Sequence, residues 1–134
     1  MVSGGFDPLH KGHVALLQGA AEYGIVYVAL NSDDWLKRKK GYVFQSWQER
    51  AEILRECRSV FYVFPVEDAD DTVCLAILSL QPDYFANGGD RSTPNEKENM
   101  ACRISGTKQL FGIGGQKVQS SSALIEKLIH REKA

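Results

Sequence analysis

The chain has few cysteines, and their number and spacing argue against two kinds of cross-linked structure. It contains three, Cys57, Cys74 and Cys102, with no CxxC pair among its 134 residues. An odd number of widely spaced cysteines is typical of reduced thiols, and it disfavours a disulfide framework or a cysteine zinc site. We therefore expect a cytoplasmic protein.

Long apolar runs and an excess of charge are absent too. No apolar stretch approaches the roughly 20 residues that span a bilayer, and the N-terminus lacks the basic and apolar regions of a secretory signal. The 16 basic and 17 acidic residues give a formal net charge of −1, whereas general nucleic-acid binders usually carry a strong basic excess. The sequence therefore predicts neither a membrane protein nor a nucleic-acid binder.

Short β-rich runs alternate with segments of helical spacing along the whole chain. Strands are predicted over 1–6, 25–30, 60–64, 84–86 and 108–111. Helices are predicted over 12–23 and 33–36, from Ser46, from Asp71 or Thr72 to Leu80, over 95–104 and from Ser120, with the basic run 37–40 in a loop. This alternation predicts a Rossmann-like three-layer α/β/α fold with a five-stranded, mainly parallel sheet. The length and the lack of a linker predict a single domain over residues 1–134.

Unusual polar and glycine-rich segments follow the predicted strands at the point where each strand ends. His10 and His13 follow the first strand, the basic run 37–40 the second, residues 87–91 the fourth and residues 112–122 the fifth. In parallel sheets, ligands bind beyond the carboxyl ends of the strands. We therefore expect these distant segments to converge on one site.

Two of the three histidines in the chain, His10 and His13, lie at the start of the first predicted helix. A helix N-terminus attracts phosphate through its unpaired N–H groups and its partial positive charge. Imidazole N–H donors would add to this field, and Gly4, Gly5 and Gly12 would let a ligand approach the backbone closely. A lone histidine here would be a simple helix cap, but the pair favours a phosphate site.

Other ligand motifs fit the sequence poorly. A zinc site is disfavoured because no cysteine or carboxylate pattern near the two histidines completes a ligand set. The first strand is not followed by GxGxxG, and residues 112–117 lack the spacing of a P-loop. A nicotinamide-cofactor site and a P-loop are therefore both disfavoured.

Several ordered segments resemble the HxGH nucleotidyltransferase superfamily of the cytidylyltransferase-like type. They are HKGH at 10–13, NSDDWLKRKKG at 31–41, QER at 48–50, NGGDR at 87–91 and VQSSSALI at 118–125. The second and third resemble the sugar-phosphate and glycerol-phosphate branches, and NGGDR resembles the heptose-phosphate adenylyltransferase branch. The chain departs from the family where an arginine often precedes the serine-rich segment. Lys117 stands in that region, and a lysine offers a point charge in place of a guanidinium.

The resemblance implies an enzyme that transfers a nucleotidyl group from a nucleoside triphosphate to a phosphorylated sugar or polyol and releases pyrophosphate. The acceptor phosphate is already an anion, so catalysis would come from positioning and from neutralising the charge on the triphosphate. The resemblance also implies Mg²⁺ bridging phosphate oxygens, and a homodimer. Its implied partners are a nucleoside triphosphate and a small phosphorylated acceptor, with no nucleic acid and no membrane.

The identity of the nucleotide and the catalytic status leave alternatives open. The small chain resembles glycerol-3-phosphate cytidylyltransferase, which favours transfer of CMP from CTP. The GGD stretch at 88–90 favours the alternative, adenylyl transfer of the heptose-phosphate type from ATP. The missing arginine supports an alternative of another class, a non-catalytic nucleotide-binding sensor.

The resemblance also implies roles for individual residues. As catalytic residues it implies His10, His13, Lys40 and Ser121. As nucleotide-binding residues it implies Gly4, Gly5, Phe6, Gly12, Gly88, Gly89, Asp90, Lys117, Ser120 and Ser122. As acceptor-binding residues it implies Asp7, Lys37 and Arg50, and it implies no protein ligand of a metal.

Several of these residues also have a simpler interpretation, as structural or surface residues. A surface charge on its helix is an equal alternative for Arg50, and Asp7 could instead be structural. Arg38 and Lys39 are predicted to be solvated. Either Trp35 or Trp47 could wall the acceptor pocket, although both are more often ordinary packing residues.

Overall fold

Strands and helices alternate in the computed structural model, which describes residues 1–89, 95–115 and 120–133. The strands are β1 (Val2–Gly4), β2 (Val26–Leu30), β3 (Val60–Pro65), β4 (Tyr84–Gly88) and β5 (Lys108–Ile113). The helices are α1 (Lys11–Ala21), α2 (Asp33–Lys40), α3 (Trp47–Arg55), α4 (Cys74–Leu80), α5 (Glu96–Ser105) and α6 (Ser121–Lys133). None of the helices in these ranges is long and apolar enough to cross a membrane.

All strand pairing in the described chain is parallel. Strands β1, β2 and β3 form one sheet in that order, and β4 pairs with β5. The N–H of Ala86 in β4 donates to the carbonyl of Met1 at 2.9 Å, so the two sheets abut and the strands run in the order β3-β2-β1-β4-β5. The predicted α/β class is confirmed. The expected single sheet is divided into three and two strands because β1 spans only three residues.

Side chains of β2 alternate between two apolar clusters, one on each face of the sheet. Val28 packs with Leu17 of α1 and Leu54 of α3, whereas Ala29 packs with Ile77 of α4. Each of these side chains is at most 1% exposed. Helices therefore cover both faces, which explains the nearly continuous apolar run of β2.

The basic run 37–40 is helical, so its prediction as a loop is wrong. The Ser32 hydroxyl caps the helix by accepting from the Trp35 N–H at 3.0 Å. Two aspartates lie in the first turn of α2 and four cations in the last, which matches the polarity of the helix dipole. Gly41 ends the helix in a left-handed conformation. This prediction overlooked that cations stabilise the C-terminal turn of a helix.

Candidate functional site

A cleft of about 560 Å³ opens at the carboxyl edge of the strands. Its walls come from the segments after all five strands, from α2, and from the N-terminal parts of α1, α5 and α6. The structure brings most of the described sequence-predicted residues to this cleft: Gly4, Gly5, Phe6, Asp7, His10, Gly12, His13, Lys40, Gly88, Gly89, Ser120 and Ser121. Asp90 and Lys117 lie outside the described residues.

The two histidines form a reciprocal cap at the N-terminus of α1. His10 Nδ1 accepts from the Gly12 N–H at 3.1 Å, and the His10 N–H donates to His13 Nδ1 at 3.2 Å. Because both Nδ1 atoms accept, this pattern assigns neutral imidazoles that carry their protons on Nε2. The helix-capping role and a ligand-binding role therefore use different atoms of the same rings.

The imidazoles are also fixed relative to each other. Their ring centroids lie 3.7 Å apart with an interplanar angle of 21°, and the Phe6 ring lies 4.7 Å from the His13 ring. Stacking on one side and capping bonds on the other hold both rings at the mouth of the helix. This arrangement can present two N–H donors side by side to an anion, together with the helix N-terminus.

The lysine at the end of α2 meets the serine turn at the start of α6. Lys40 Nζ donates to Ser122 Oγ at 3.4 Å, and Ser121 Oγ donates to the Pro8 carbonyl at 2.9 Å. Ser120 Oγ accepts from the Ala123 N–H at 3.0 Å and so caps α6. These bonds connect α2, α6 and the loop after β1 around one opening, and two helix N-termini face it.

Asp7 contacts the protein itself, although it was expected to bind an acceptor. Asp7 is 5% exposed. Its carboxylate accepts hydrogen bonds from the backbone N–H groups of Phe44 and Gln45, both at 2.7 Å. These bonds tie the loop after β1 to the segment before α3. The geometry supports the structural alternative for this residue.

Arg50 is the largest fully buried side chain in the described chain, with 1% exposure. Its guanidinium donates to the carbonyls of Gly5, Asn31 and Gln45 at 2.8 to 2.9 Å and to Asp33 Oδ1 at 2.6 Å. It contacts the carbonyls of two residues that line the cleft, Gly5 and Asn31, but is not itself among the described lining residues. The expectation that Arg50 contacts an acceptor phosphate is therefore corrected: the side chain joins three segments of main chain.

Two further predicted residues are not among the described residues that line the cleft. Lys37 is exposed on α2 one turn before Lys40, and Ser122 reaches the site through its contact with Lys40.

Only one of the two tryptophans proposed for the acceptor pocket lies at the cleft. Trp35 lines the cleft, whereas Trp47 donates from Nε1 to the Leu30 carbonyl at 3.1 Å and packs against the core.

The loop between β3 and α4 supplies cleft residues that sequence reasoning missed. Asp71, Thr72 and Val73 line the cleft, as does Glu98 of α5, whose Oε2 accepts from the Val73 N–H at 3.2 Å. No motif marks these residues. The signal that could have found the loop is its position, because it follows a parallel strand at the same edge.

Arg38 is exposed to solvent, as predicted, and is also bonded to this loop. Its Nε and Nη2 atoms lie 3.2 and 3.0 Å from Asp71 Oδ1, and Nη2 also donates to the Asp68 carbonyl at 2.8 Å. Lys39 Nζ lies 3.6 Å from Asp71 Oδ2. The hydrogen bond from Arg38 lowers the pKa of the Asp71 carboxyl, which is therefore ionised at neutral pH.

Residues 1–126 match the sequence profile of the family described as cytidylyltransferase-like. The chain belongs to the cytidylyltransferase-like family. This membership confirms the resemblance carried by the sequence motifs. It also fits the position of the cleft at the carboxyl edge of the strands.

Curated relatives of this cytidylyltransferase-like chain are 35% to 37% identical to it over the aligned residues. Bifunctional protein HldE of Helicobacter pylori strain G27 is 37% identical over 129 residues, which are 94% of this chain and 26% of that protein. Bifunctional protein HldE of Haemophilus influenzae strain PittEE is 35% identical over 118 residues, which are 86% of this chain and 23% of that protein. The chain thus spans about a quarter of the length of these relatives.

A solved structure has the same fold. The lipopolysaccharide core biosynthesis protein from Thermoplasma volcanium GSS1 matches with a TM-score of 0.68 at 20% sequence identity. The match covers 83% of this chain and 90% of that protein. At this identity the likeness supports the Rossmann-like α/β fold of the cytidylyltransferase-like chain.

The loop after β5 packs against α1 at Gly114, and this contact gives a testable difference between two glycines. A methyl group on Gly114 would lie 2.7 Å from the Leu16 nitrogen, whereas one on Gly115 would meet no described atom within 4 Å. Both glycines have φ of +85°, so each alanine variant loses about 1 kcal/mol to strain. Gly114→Ala should lose about 1–3 kcal/mol more through overpacking. Urea unfolding of both variants measures the difference, and equal losses would contradict the packing.

Proposed function

We propose that the protein is a nucleotidyltransferase, which transfers a nucleotidyl group from a nucleoside triphosphate to a phosphorylated sugar or polyol and releases pyrophosphate. One observation carries this proposal: His10, His13, Lys40 and the N-terminus of α6 surround a single cleft. Each of these groups offers positive potential or N–H donors, which are the features that bind a polyphosphate. Membership of the cytidylyltransferase-like family supports the same reaction class.

The reaction needs no nucleophile from the protein. An oxygen of the acceptor phosphate attacks the α-phosphorus in line, and the bond between the α-phosphorus and the bridging oxygen to the β-phosphorus breaks. Pyrophosphate then leaves with the bonding electrons. The protein must hold the two anions together and neutralise the charge that develops on the phosphate oxygens.

Different residues of the cleft bind different parts of the nucleotide, according to their chemistry. The Nε2–H groups of His10 and His13 donate to oxygens of the triphosphate, and Lys40 supplies a mobile point charge. Ser121 and the first N–H groups of α6 hold phosphate beside the loop after β1. Gly88 and Gly89 leave room at the end of β4 for the base and ribose.

We include Mg²⁺ in the proposal as an ion held mainly by the nucleotide. No group of three or more histidine, cysteine or carboxylate side chains among the described residues could hold a metal ion. In the cleft, Asp7 accepts two backbone N–H groups and Asp71 is paired with Arg38. As the resemblance implies, Mg²⁺ would neutralise phosphate oxygens with few protein ligands.

Two nucleotides are candidates. Transfer of CMP from CTP stays a prediction that rests on the resemblance to glycerol-3-phosphate cytidylyltransferase. The second candidate is adenylyl transfer from ATP to a heptose phosphate. It is favoured by the GGD stretch at 88–90 and by the relatives named bifunctional protein HldE.

The test is pyrophosphate release with CTP or ATP against a panel of phosphosugars and phosphopolyols. The proposal expects release with one nucleotide and one acceptor class, and the pair that reacts decides between the two candidates. Heptose phosphates and glycerol phosphate belong in the panel. Measurable nucleotide binding by calorimetry without release from any pair would contradict the proposal and favour the sensor.

We also carry over the homodimer and the cytoplasmic location from the resemblance and from the reduced cysteines. On the edge strand β3, Phe61 is 66% exposed and Tyr62 is 54% exposed, and such a strand is open to pairing with a second copy. Sedimentation should give twice the chain mass, and Phe61→Lys should give a monomer. Ile104→Lys on α5, where the side chain is 69% exposed, should stay dimeric. A monomeric wild type would contradict the dimer.

A further inference from the structure

The segment 68–71 between β3 and α4 holds both ends of α2. At the first turn, the Asp68 carboxylate accepts from the Ser32 N–H at 2.8 Å and from the Ser32 hydroxyl at 2.7 Å. At the last turn, the Asp68 carbonyl accepts from Arg38 Nη2 at 2.8 Å. Asp68 is 4% exposed. One buried residue therefore fixes the start of α2 through its side chain and the end of α2 through its main chain.

Asp71 completes this arrangement, and we call Arg38, Asp68 and Asp71 the α2 clamp. The Asp71 N–H donates to the Asp68 carbonyl at 2.9 Å, which is the same carbonyl that Arg38 contacts. Asp71 adopts a left-handed backbone with φ of +63°, a conformation that aspartate tolerates better than most residues. Two N–H groups of Arg38 converge on its Oδ1.

The clamp acts on the turn that carries Lys40. Arg38 and Lys40 both belong to the final turn of α2, so fixing the guanidinium limits where the Lys40 backbone can lie. The contact from Lys40 Nζ to Ser122 Oγ is long, at 3.4 Å, and cannot hold the turn by itself. Lys40 and Trp35 line the cleft, whereas Arg38 is not among the described lining residues.

We propose that Arg38 is a positioning residue, which sets Lys40 at the cleft by tying the last turn of α2 to Asp68 and Asp71. This inference rests on the proposed function, in which Lys40 neutralises phosphate charge. A lysine side chain is long and flexible, so its contribution to a transition state depends on a fixed backbone. The Arg38 and Asp71 side chains are 41% and 42% exposed, and an exposed pair adds little to global stability. The clamp therefore serves local geometry.

The experiment compares Arg38→Gln, Lys40→Gln and the double variant in pyrophosphate release. We expect Arg38→Gln to lower kcat about tenfold with little change in KM for the nucleotide. It should lower kcat no further when Lys40→Gln is already present, because the two residues act through one group. A multiplicative loss in the double variant would overturn the proposal.

Hydrogen exchange supplies a readout that does not depend on turnover. In Arg38→Gln the amides of residues 37–41 should exchange faster, while those of α3 should not change. The matched control Lys39→Gln removes the same charge from the same turn but only a 3.6 Å contact, so its exchange should stay near that of the wild type. Unchanged exchange in Arg38→Gln would overturn the clamp. Faster exchange in a protein that turns over no substrate pair would support the clamp and contradict the proposed function.

Discussion

His13→Ala should lower turnover about 100- to 1,000-fold, the loss typical of removing one donor that stabilises developing charge. The imidazole is stacked on His10 at 3.7 Å and packed beside Phe6, so its donor is held in place before substrate binds. An alanine offers neither a donor nor a ring. The measurement is kcat for pyrophosphate release, with the substrate pair that the wild type uses.

The fold of His13→Ala should survive, because the side chain contributes to a helix cap and not to either core cluster. Losing the reciprocal cap costs about 0.5–2 kcal/mol, which circular dichroism and urea unfolding would detect. His130→Ala is the control, since His130 is exposed on α6, and its turnover should equal that of the wild type. Near-normal turnover in His13→Ala would show that the role assigned to this residue is wrong.

Arg50→Met should lower the free energy of unfolding by about 3–5 kcal/mol, the range found when one partner of a buried charged network is removed. The methionine would leave the carbonyls of Gly5, Asn31 and Gln45 without the donors that satisfy them now. Each buried carbonyl that loses its partner costs about 1–3 kcal/mol. Chemical denaturation measures the change.

Arg55→Met provides the matched control for Arg50→Met. Arg55 belongs to the same helix, α3, and is exposed, so its replacement should stay within about 0.5 kcal/mol of the wild type. Arg50→Lys should fall between the two, because a lysine restores a charge but cannot donate to several carbonyls in a fixed fork. Equal stability losses at positions 50 and 55 would contradict the buried role of Arg50.

The sequence was sufficient to predict the order of the elements and the edge at which the site forms, but not the full length of α2. Apolar periodicity is a local property, so the runs of β2 and α1 could be recognised without tertiary information. The convergence of His10, Lys40 and Ser121 followed from the rule that parallel strands share a carboxyl edge. These three residues line one cleft.

Burial of polar groups could not be predicted in the same way. The environment of Arg50 comes from carbonyls at positions 5, 31 and 45, which only the folded chain brings together. In the sequence, the residues around Arg50 in its predicted helix do not distinguish it from a cation on the surface of a helix. Asp71 was missed for a related reason, since its partner Arg38 lies 33 positions away.

The proposed function requires that the two imidazoles, Lys40 and the N-terminus of α6 bind one polyphosphate. A crystal structure of the protein with CTP or ATP and no acceptor tests this claim directly. We expect a triphosphate in the cleft, with its oxygens within hydrogen-bond distance of His10 or His13 and of the first N–H groups of α6. A triphosphate bound away from the carboxyl edge of the strands would contradict it.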